Sequence, residues 1–283
     1  MKISVVMTAY NAEKFIREAI DSVLSQSRKA DEIIVVDDCS TDKTADLVKE
    51  YGDQVTYYKT PVNSGALSTT FYGVVRTTGD VLLFLDGDDL WLPGKIENVV
   101  PVFEQDPMIG IVSHDYVRVD SNRKPFNYVD ETQLNIERIL RDYKTPDQRS
   151  DAFKDSILGK KGFWGGSAYS LRKSFIEPDN FEKWRAGIDY IRYTYLDQVM
   201  PTYIILNHPE VKVGYVHKKL FEYRIHSSNF SGNKIPDVTA AKNALRMGFS
   251  TTKATHNLIS SKKGFESYAQ RQQLMIIEYQ YLE

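Results

Sequence analysis

Short apolar runs alternate with amphipathic stretches through the first 120 residues. Ile3–Met7 reads as a buried strand, and Glu13–Gln26 as a helix, because Ile16, Ile20, Val23 and Leu24 fall on one face. Asn11 is its expected cap. Glu32–Val36 is a second strand. Ser40 or Thr41 is placed to cap a helix running to Tyr51. Val55–Lys59, Ala66–Thr77 and Val81–Leu85 continue the pattern as strand, helix and strand, the last being the most apolar of all. Pro93 suits a helix start, and Ile109–Val119 reads as a further strand. This alternation predicts an α/β fold, a mostly parallel central sheet flanked by helices. In such sheets ligands bind at the carboxyl ends of the strands.

The second half is less regular. Residues 120–160 are polar, with a helix expected over Asp147–Leu158. Phe163–Leu171 reads as a strand, Asp189–Met200 as a helix, and Val211–Val216 and Leu220–Arg224 as short strands. From Asp237 onward the pattern is helical. The expected organisation is 1–232 as one domain, divided into 1–119 and 120–232, with 233–283 as a helical extension.

Composition narrows the field. The net charge of -2 provides no global basic field for nucleic acid. A single cysteine, Cys39, leaves no disulfide framework or cysteine-built zinc site and suits a reducing compartment. No run reaches the roughly 18 apolar residues of a membrane span. The expected location is the cytoplasm, with the inner membrane face as a variant.

Chemistry concentrates at three strand ends. Asp86-Gly87-Asp88-Asp89 places three carboxylates in four residues after an apolar strand. Packed like charges repel and raise one another's pKa. A hard divalent cation relieves this and can bridge to phosphates. An acidic turn capping the next helix is the other reading. Asp37-Asp38-Cys39-Ser40-Thr41-Asp42 forms a second acidic loop, where a carboxylate can accept the imide N–H of uracil or thymine. The third end, Met7-Thr8-Ala9-Tyr10-Asn11, has no glycine, which counts against a dinucleotide-binding fingerprint. Tyr10 there can stack on a base.

These three blocks, in this order and spacing, resemble the signature segments of glycosyltransferase family 2. The resemblance covers roughly residues 3–230. It implies the GT-A fold, a nucleotide-sugar donor and inversion at the anomeric carbon. It places Thr8, Tyr10, Asn11, Asp38, Gly65, Asp86, Gly87 and Asp88 at the nucleotide-sugar, and Asp88 also on the metal. Asp89 would lie behind the metal or join it. Trp184-Arg185-Ala186-Gly187-Ile188-Asp189-Tyr190 resembles the segment carrying the catalytic base, with Asp189 at the matching position; a plain helix cap is the alternative. Tyr223-Arg224-Ile225-His226 resembles the late Arg-x-His motif, making His226 a metal ligand and Arg224 a diphosphate contact. An imidazole ligand favours Mn²⁺ over Mg²⁺. Phe163-Trp164-Gly165-Gly166-Ser167 resembles the acceptor-side segment, with Trp164, Gly165, Gly166 and Ser167 as candidates; a turn beside a core tryptophan is the other reading.

The sequence departs from the family at two places. Thr69, Thr70 and Phe71 stand where many relatives carry Ala-Arg-Asn, which removes a cationic contact to the donor. Cys39 stands at a usual glycine and would be mildly strained at positive φ. The expected partners are a nucleotide-sugar, with UDP preferred, and a saccharide or lipid-linked saccharide acceptor in surface polysaccharide or glycoconjugate assembly. Basic residues Lys242, Arg246, Lys253, Lys262 and Lys263 interleave with Leu245, Phe249, Leu258 and Ile259 in the tail. They suit either a membrane-surface helix or a helix packed on the domain or on a second subunit. Two other function classes remain beside the transferase. One is a non-catalytic nucleotide-sugar-binding module. The other is a nucleotidyltransferase, disfavoured by the absence of a Gly-rich basic loop after the first strand.

Overall fold

The computed structural model describes residues 1–126, 131–159, 165–186, 188, 191–226, 229 and 238–282. Trp164 and Asp189 therefore lie outside the described residues. One eight-stranded sheet organises the chain, in the order β3-β2-β1-β4-β7-β6-β8-β5. Its strands are β1 (Ile3–Ala9), β2 (Glu32–Asp37), β3 (Thr56–Lys59), β4 (Val81–Asp86), β5 (Leu90–Trp91), β6 (Ile109–Val119), β7 (Ser170–Arg172) and β8 (Lys212–Arg224). β3, β2, β1 and β4 run parallel, and β2, β1 and β4 have the continuous apolar sequences of strands covered on both faces, whereas the half-exposed Thr56–Lys59 forms the edge. β7 pairs antiparallel with β4 and β6, and β5 antiparallel with β8.

Helices cover both faces: α1 (Ile16–Leu24), α2 (Thr44–Lys49), α3 (Ala66–Val74), α4 (Lys95–Gln105), α5 (Glu131–Asp142), α6 (Pro146–Leu158), α7 (Pro178–Arg185) and α8 (Leu196–Asn207). Ile16, Ile20 and Val23 of α1 pack with Val5, Met7, Leu83 and Leu85 on one face of the sheet. Leu67, Phe71 and Val74 of α3 pack with Val6, Leu82 and Phe84 on the other. This is the α/β, GT-A type of arrangement.

Several expectations shift. α1 starts at Ile16 with no side-chain cap, so Asn11 does not cap it. Asn11 instead takes a left-handed conformation and accepts the Thr41 N–H at 2.9 Å, joining the first two strand-end loops. α2 starts at Thr44, so neither Ser40 nor Thr41 caps it; the Asp42 carboxylate accepts the Thr44 N–H at 2.9 Å. Val211–Val216 and Leu220–Arg224 are one strand, β8, whose polar His217–Lys219 stretch bulges where the register with β6 shifts around Asp115. The helix expected at Asp189 begins at Leu196, after a single 3₁₀ turn at Ile191–Tyr193.

The tail forms α9 (Val238–Ser260) and α10 (Glu266–Leu282). Leu258 and Ile259 are buried in the domain core. Thr251 Oγ1 accepts the Tyr195 N–H at 2.9 Å, and the Ser250 and Thr194 hydroxyls meet at 2.8 Å. α9 thus braces the chain just before α8. No helix among the described residues is long and apolar enough to cross a membrane.

Cys39 adopts φ 63°, as feared for a side chain in a glycine's place. Left-handed backbone is costly for a residue with a Cβ, and glycine's greater unfolded-state entropy offsets part of the relief. Cys39→Gly is expected to raise unfolding free energy by roughly 0.5–1 kcal/mol, read as a higher urea midpoint at constant m-value.

Candidate active site

The register of the parallel strands sets the site. Thr8 of β1 lies beside Val36 of β2 on one side and Asp86 of β4 on the other. The three strand-end loops therefore open at one edge. The Thr8 hydroxyl donates to Asp86 Oδ1 at 2.7 Å and fixes that carboxylate. Gly87 N–H donates to the Thr8 carbonyl at 2.7 Å. A Cβ on Gly87 would meet Ile16, Thr8 and Ala9 at 3.1–3.2 Å, so any larger residue would crowd the loop against β1 and α1.

The three carboxylates then part. Asp89 turns inward and is 2% exposed. Its Oδ2 accepts the Ser167 hydroxyl at 2.7 Å, and its Oδ1 the Arg224 N–H at 2.9 Å. Asp89 is thus a strut between the acidic loop, the Gly165–Ala168 strap and β8. Asp88 turns outward, with 30% of its side chain exposed, and its Oδ2 lies 3.1 Å from His226 Nε2. Asn229 Nδ2 donates to the same oxygen at 3.3 Å and to the Arg224 carbonyl at 3.0 Å. The β5–β8 pairing produces this meeting: Leu90 and Trp91 lie against Glu222 and Phe221, which carries the end of β8 past the acidic loop.

Burial first, and then the Asp88 charge, push the Asp86 carboxyl up to about 7. The same two causes, with Asp86 added, hold Asp89 well above the usual carboxylate range.

Asp38 is buried. Its oxygens accept the Ser64 N–H at 2.8 Å, the Gly65 N–H at 2.8 Å and the Thr60 hydroxyl at 3.0 Å. Here the carboxylate clasps the 60–65 loop. Gly65 takes φ 84°, and a Cβ there would strike the Arg192 backbone at 2.4–2.8 Å. Gly65 therefore joins Asp38 to the segment leading into α8. Tyr10 stands 49% exposed at the same edge. Arg224 departs from its expected role: its guanidinium is buried, bonds Glu18 at 2.5 Å and lies over the Phe15 ring, so it faces α1 and not a diphosphate.

The acceptor-side strap joins the site directly. Gly165 takes φ 128° and donates its N–H to Asp197 Oδ2 at 2.8 Å. A Cβ on Gly166 would lie 3.5 Å from Asp86 Oδ2 and 4.0 Å from Leu196. Asp197, in the first turn of α8, is also among the charges that raise Asp86. Sequence reasoning missed Asp197 because the helix was started too early; an acidic residue in the first turn of the true helix was the available signal. Asn229 was missed as well, three residues beyond His226.

Could these side chains hold a metal? Asp88 and His226 offer one hard oxygen and one imidazole nitrogen facing each other. Among the described residues no group of three or more histidine, cysteine or acidic side chains converges. The pair fits a divalent cation whose remaining ligands come from phosphate oxygens and water.

In an α/β sheet of this kind ligands bind at the carboxyl ends of the parallel strands, which is where this acidic, partly solvent-open edge lies. Residues 4–165 match the family model for glycosyl transferase family 2, and the chain belongs to that family. It is 36% identical over 241 residues to an uncharacterized glycosyltransferase of Nostoc sp., covering 81% of this chain and 66% of that protein. It is 30% identical over 164 residues to an uncharacterized glycosyltransferase of Haemophilus influenzae, covering 56% of this chain and 55% of that one. The chain thus spans less than two thirds of either relative. Its fold is similar to that of S. aureus TarS 1–349 in complex with UDP-GlcNAc, with a TM-score of 0.67 at 16% identity, over 99% of this chain and 73% of that one.

The raised Asp86 pKa has a signed consequence. The folded state keeps a proton that the unfolded chain releases between about pH 4 and about pH 7. The Asp86 contribution to ligand-free stability should therefore fall as pH rises through that window and level off above it. Asp86→Asn is expected to remove this part of the slope, at most about 4 kcal/mol, from ~3 pH units at about 1.4 kcal/mol each. Melting temperatures of both proteins from pH 4 to 8 read it.

Proposed function

We propose that this protein is an inverting glycosyltransferase that moves a sugar from a UDP-linked donor to an acceptor hydroxyl. The meeting of Asp88 and His226, carried in by two distant strands, is the observation that supports it most. The UDP-GlcNAc and UDP complexes of TarS favour a uridine donor. Thr8, Tyr10, Asn11 and the Asp38 loop form the nucleotide side, with Tyr10 as the stacking face. Asp88 and His226 would hold a divalent cation, with Mn²⁺ favoured over Mg²⁺ by the imidazole. Bound there, it would offset charge on the leaving diphosphate.

The acceptor lies across Gly165 and Gly166, where two glycines leave the backbone open to a ligand; Ser167, expected on the acceptor side, is instead buried behind them with its hydroxyl between Asp86 and Asp89. A carboxylate takes the proton from the acceptor hydroxyl as its oxygen attacks the anomeric carbon. The bond to the diphosphate breaks on the opposite face, so one displacement inverts the centre. Asp189 holds this role by family resemblance. Asp197 is the second candidate, supported by its place beside both Gly165 and Asp86. The acceptor class is a saccharide or lipid-linked saccharide of surface polysaccharide or glycoconjugate assembly, met in the cytoplasm at the inner membrane face.

Asp197→Asn is expected to lower kcat by about 10²–10⁴-fold while UDP affinity stays within about threefold. UDP release and the anomer formed, followed by NMR over a panel of UDP-sugars and acceptors, read the outcome. Collapse in Asp189→Asn with activity retained in Asp197→Asn would assign the base to Asp189. UDP binding by the wild-type protein without turnover on any acceptor would favour a non-catalytic nucleotide-sugar-binding module.

A further inference from the structure

Behind the acidic loop lies a lysine that solvent does not reach. Lys95 opens α4 and is 0% exposed. Its Nζ lies 4.4 Å from the centre of the Trp91 ring and 5.7 Å from that of Phe221. Its ammonium donates to the carbonyl oxygen of Ser167, and among the described residues it forms no ion pair. A methionine would fill the same space without stripping a charge of its water, so packing alone does not explain a lysine here.

Both ends of Lys95 are fixed. Its backbone N–H donates to Gln26 Oε1 at 2.9 Å, and Gln26 Nε2 donates in turn to the Leu92 carbonyl at 3.1 Å. The root of the side chain is thus clamped to Gln26, just past the end of α1, whose amide also donates to the Ser22 carbonyl, and its tip holds the strap at Ser167. The Ser167 hydroxyl sits in the middle of the acidic loop. It accepts the Asp86 N–H at 3.1 Å and donates to Asp89 Oδ2 at 2.7 Å.

We propose that Lys95 is a positioning residue: through the Ser167 carbonyl it sets the Ser167 hydroxyl between Asp86 and Asp89, and so fixes the loop that presents Asp88 to the donor. The link to donor binding rests on the function proposed above, whereas the mechanical link from Lys95 to the loop does not. Burial pushes the ammonium well below the usual lysine range, opposed by Asp89 and Asp86. An amine donates to a carbonyl in either protonation state, so the geometry carries the argument.

Amide hydrogen exchange and UDP titration test this on Lys95→Met and Ser167→Ala. In Lys95→Met, exchange at Asp86–Leu90 and at the end of β8 is expected to quicken tenfold or more. The interior of β1 and β2 should stay as protected as in the wild type. UDP affinity in Mn²⁺ should fall about tenfold, with less than a twofold change in EDTA. The double variant should be no looser than Ser167→Ala, because both act through one hydroxyl. Unchanged loop exchange in Lys95→Met, or loosening spread evenly over the sheet, would overturn the proposal. Should Lys95→Met fail to fold, Ser167→Ala decides: loop exchange equal to wild type overturns the proposal, and selective loosening of Asp86–Leu90 supports it. A wild-type protein that ignores UDP would sink the donor reading alone, since loop exchange still judges Lys95.

Discussion

Three carboxylates at the end of one buried strand cannot share a direction. Asp86, Asp88 and Asp89 repel, and burial penalises each charge further. The fold answers by giving each a different environment. Thr8 holds Asp86, Ser167 and the Arg224 backbone hold Asp89, and Asp88 alone is turned to the open edge beside His226. Each partner comes from a different part of the chain: β1, the strap before β7, and the end of β8. The loop therefore forms only when the whole sheet is assembled. Even then burial, with the neighbouring charges added, holds the Asp86 and Asp89 carboxyls above their usual range.

The same constraint explains how the two halves of the chain depend on each other. The first half supplies the acidic loops, but β7 and β8 from the second half complete the sheet beside them. Gly65 packs on the Arg192 backbone, and α9 braces Thr194 and Tyr195. The residues around the start of α8 are thus held from both sides, where Asp197 meets Gly165. The C-terminal helices act here as a buttress for the site.

Legibility in the sequence followed burial. β1, β2 and β4 were readable because both their faces are covered, leaving uninterrupted apolar runs ending in polar loops. The candidate residues on those loops, Thr8, Asp86, Gly87 and Asp88, do come together, as does His226. β5 was invisible because two residues carry no period. β8 was split in two by His217–Lys219, since a bulge relieves those polar residues of the strand's alternation. Arg224 was misjudged because a basic residue next to a candidate ligand looks like a phosphate contact, whereas Glu18 and the Phe15 ring draw it into the interior. Lys95 gave no signal at all. Its role depends on a carbonyl 72 residues away, and only the folded strap brings that atom to it.

A melting-temperature panel of UDP, TDP, GDP and CDP, each with Mn²⁺, Mg²⁺ or EDTA, tests most directly whether the acidic edge is a donor site completed by a cation. Ligands that bind only the folded state raise the melting temperature by mass action, by about 2.7 kcal/mol at a hundredfold excess over Kd. The account predicts a rise of about 5 °C or more with UDP and Mn²⁺, smaller with Mg²⁺ and abolished by EDTA. No shift with any nucleotide and metal would contradict it, leaving Asp86–Asp89 as a structural turn.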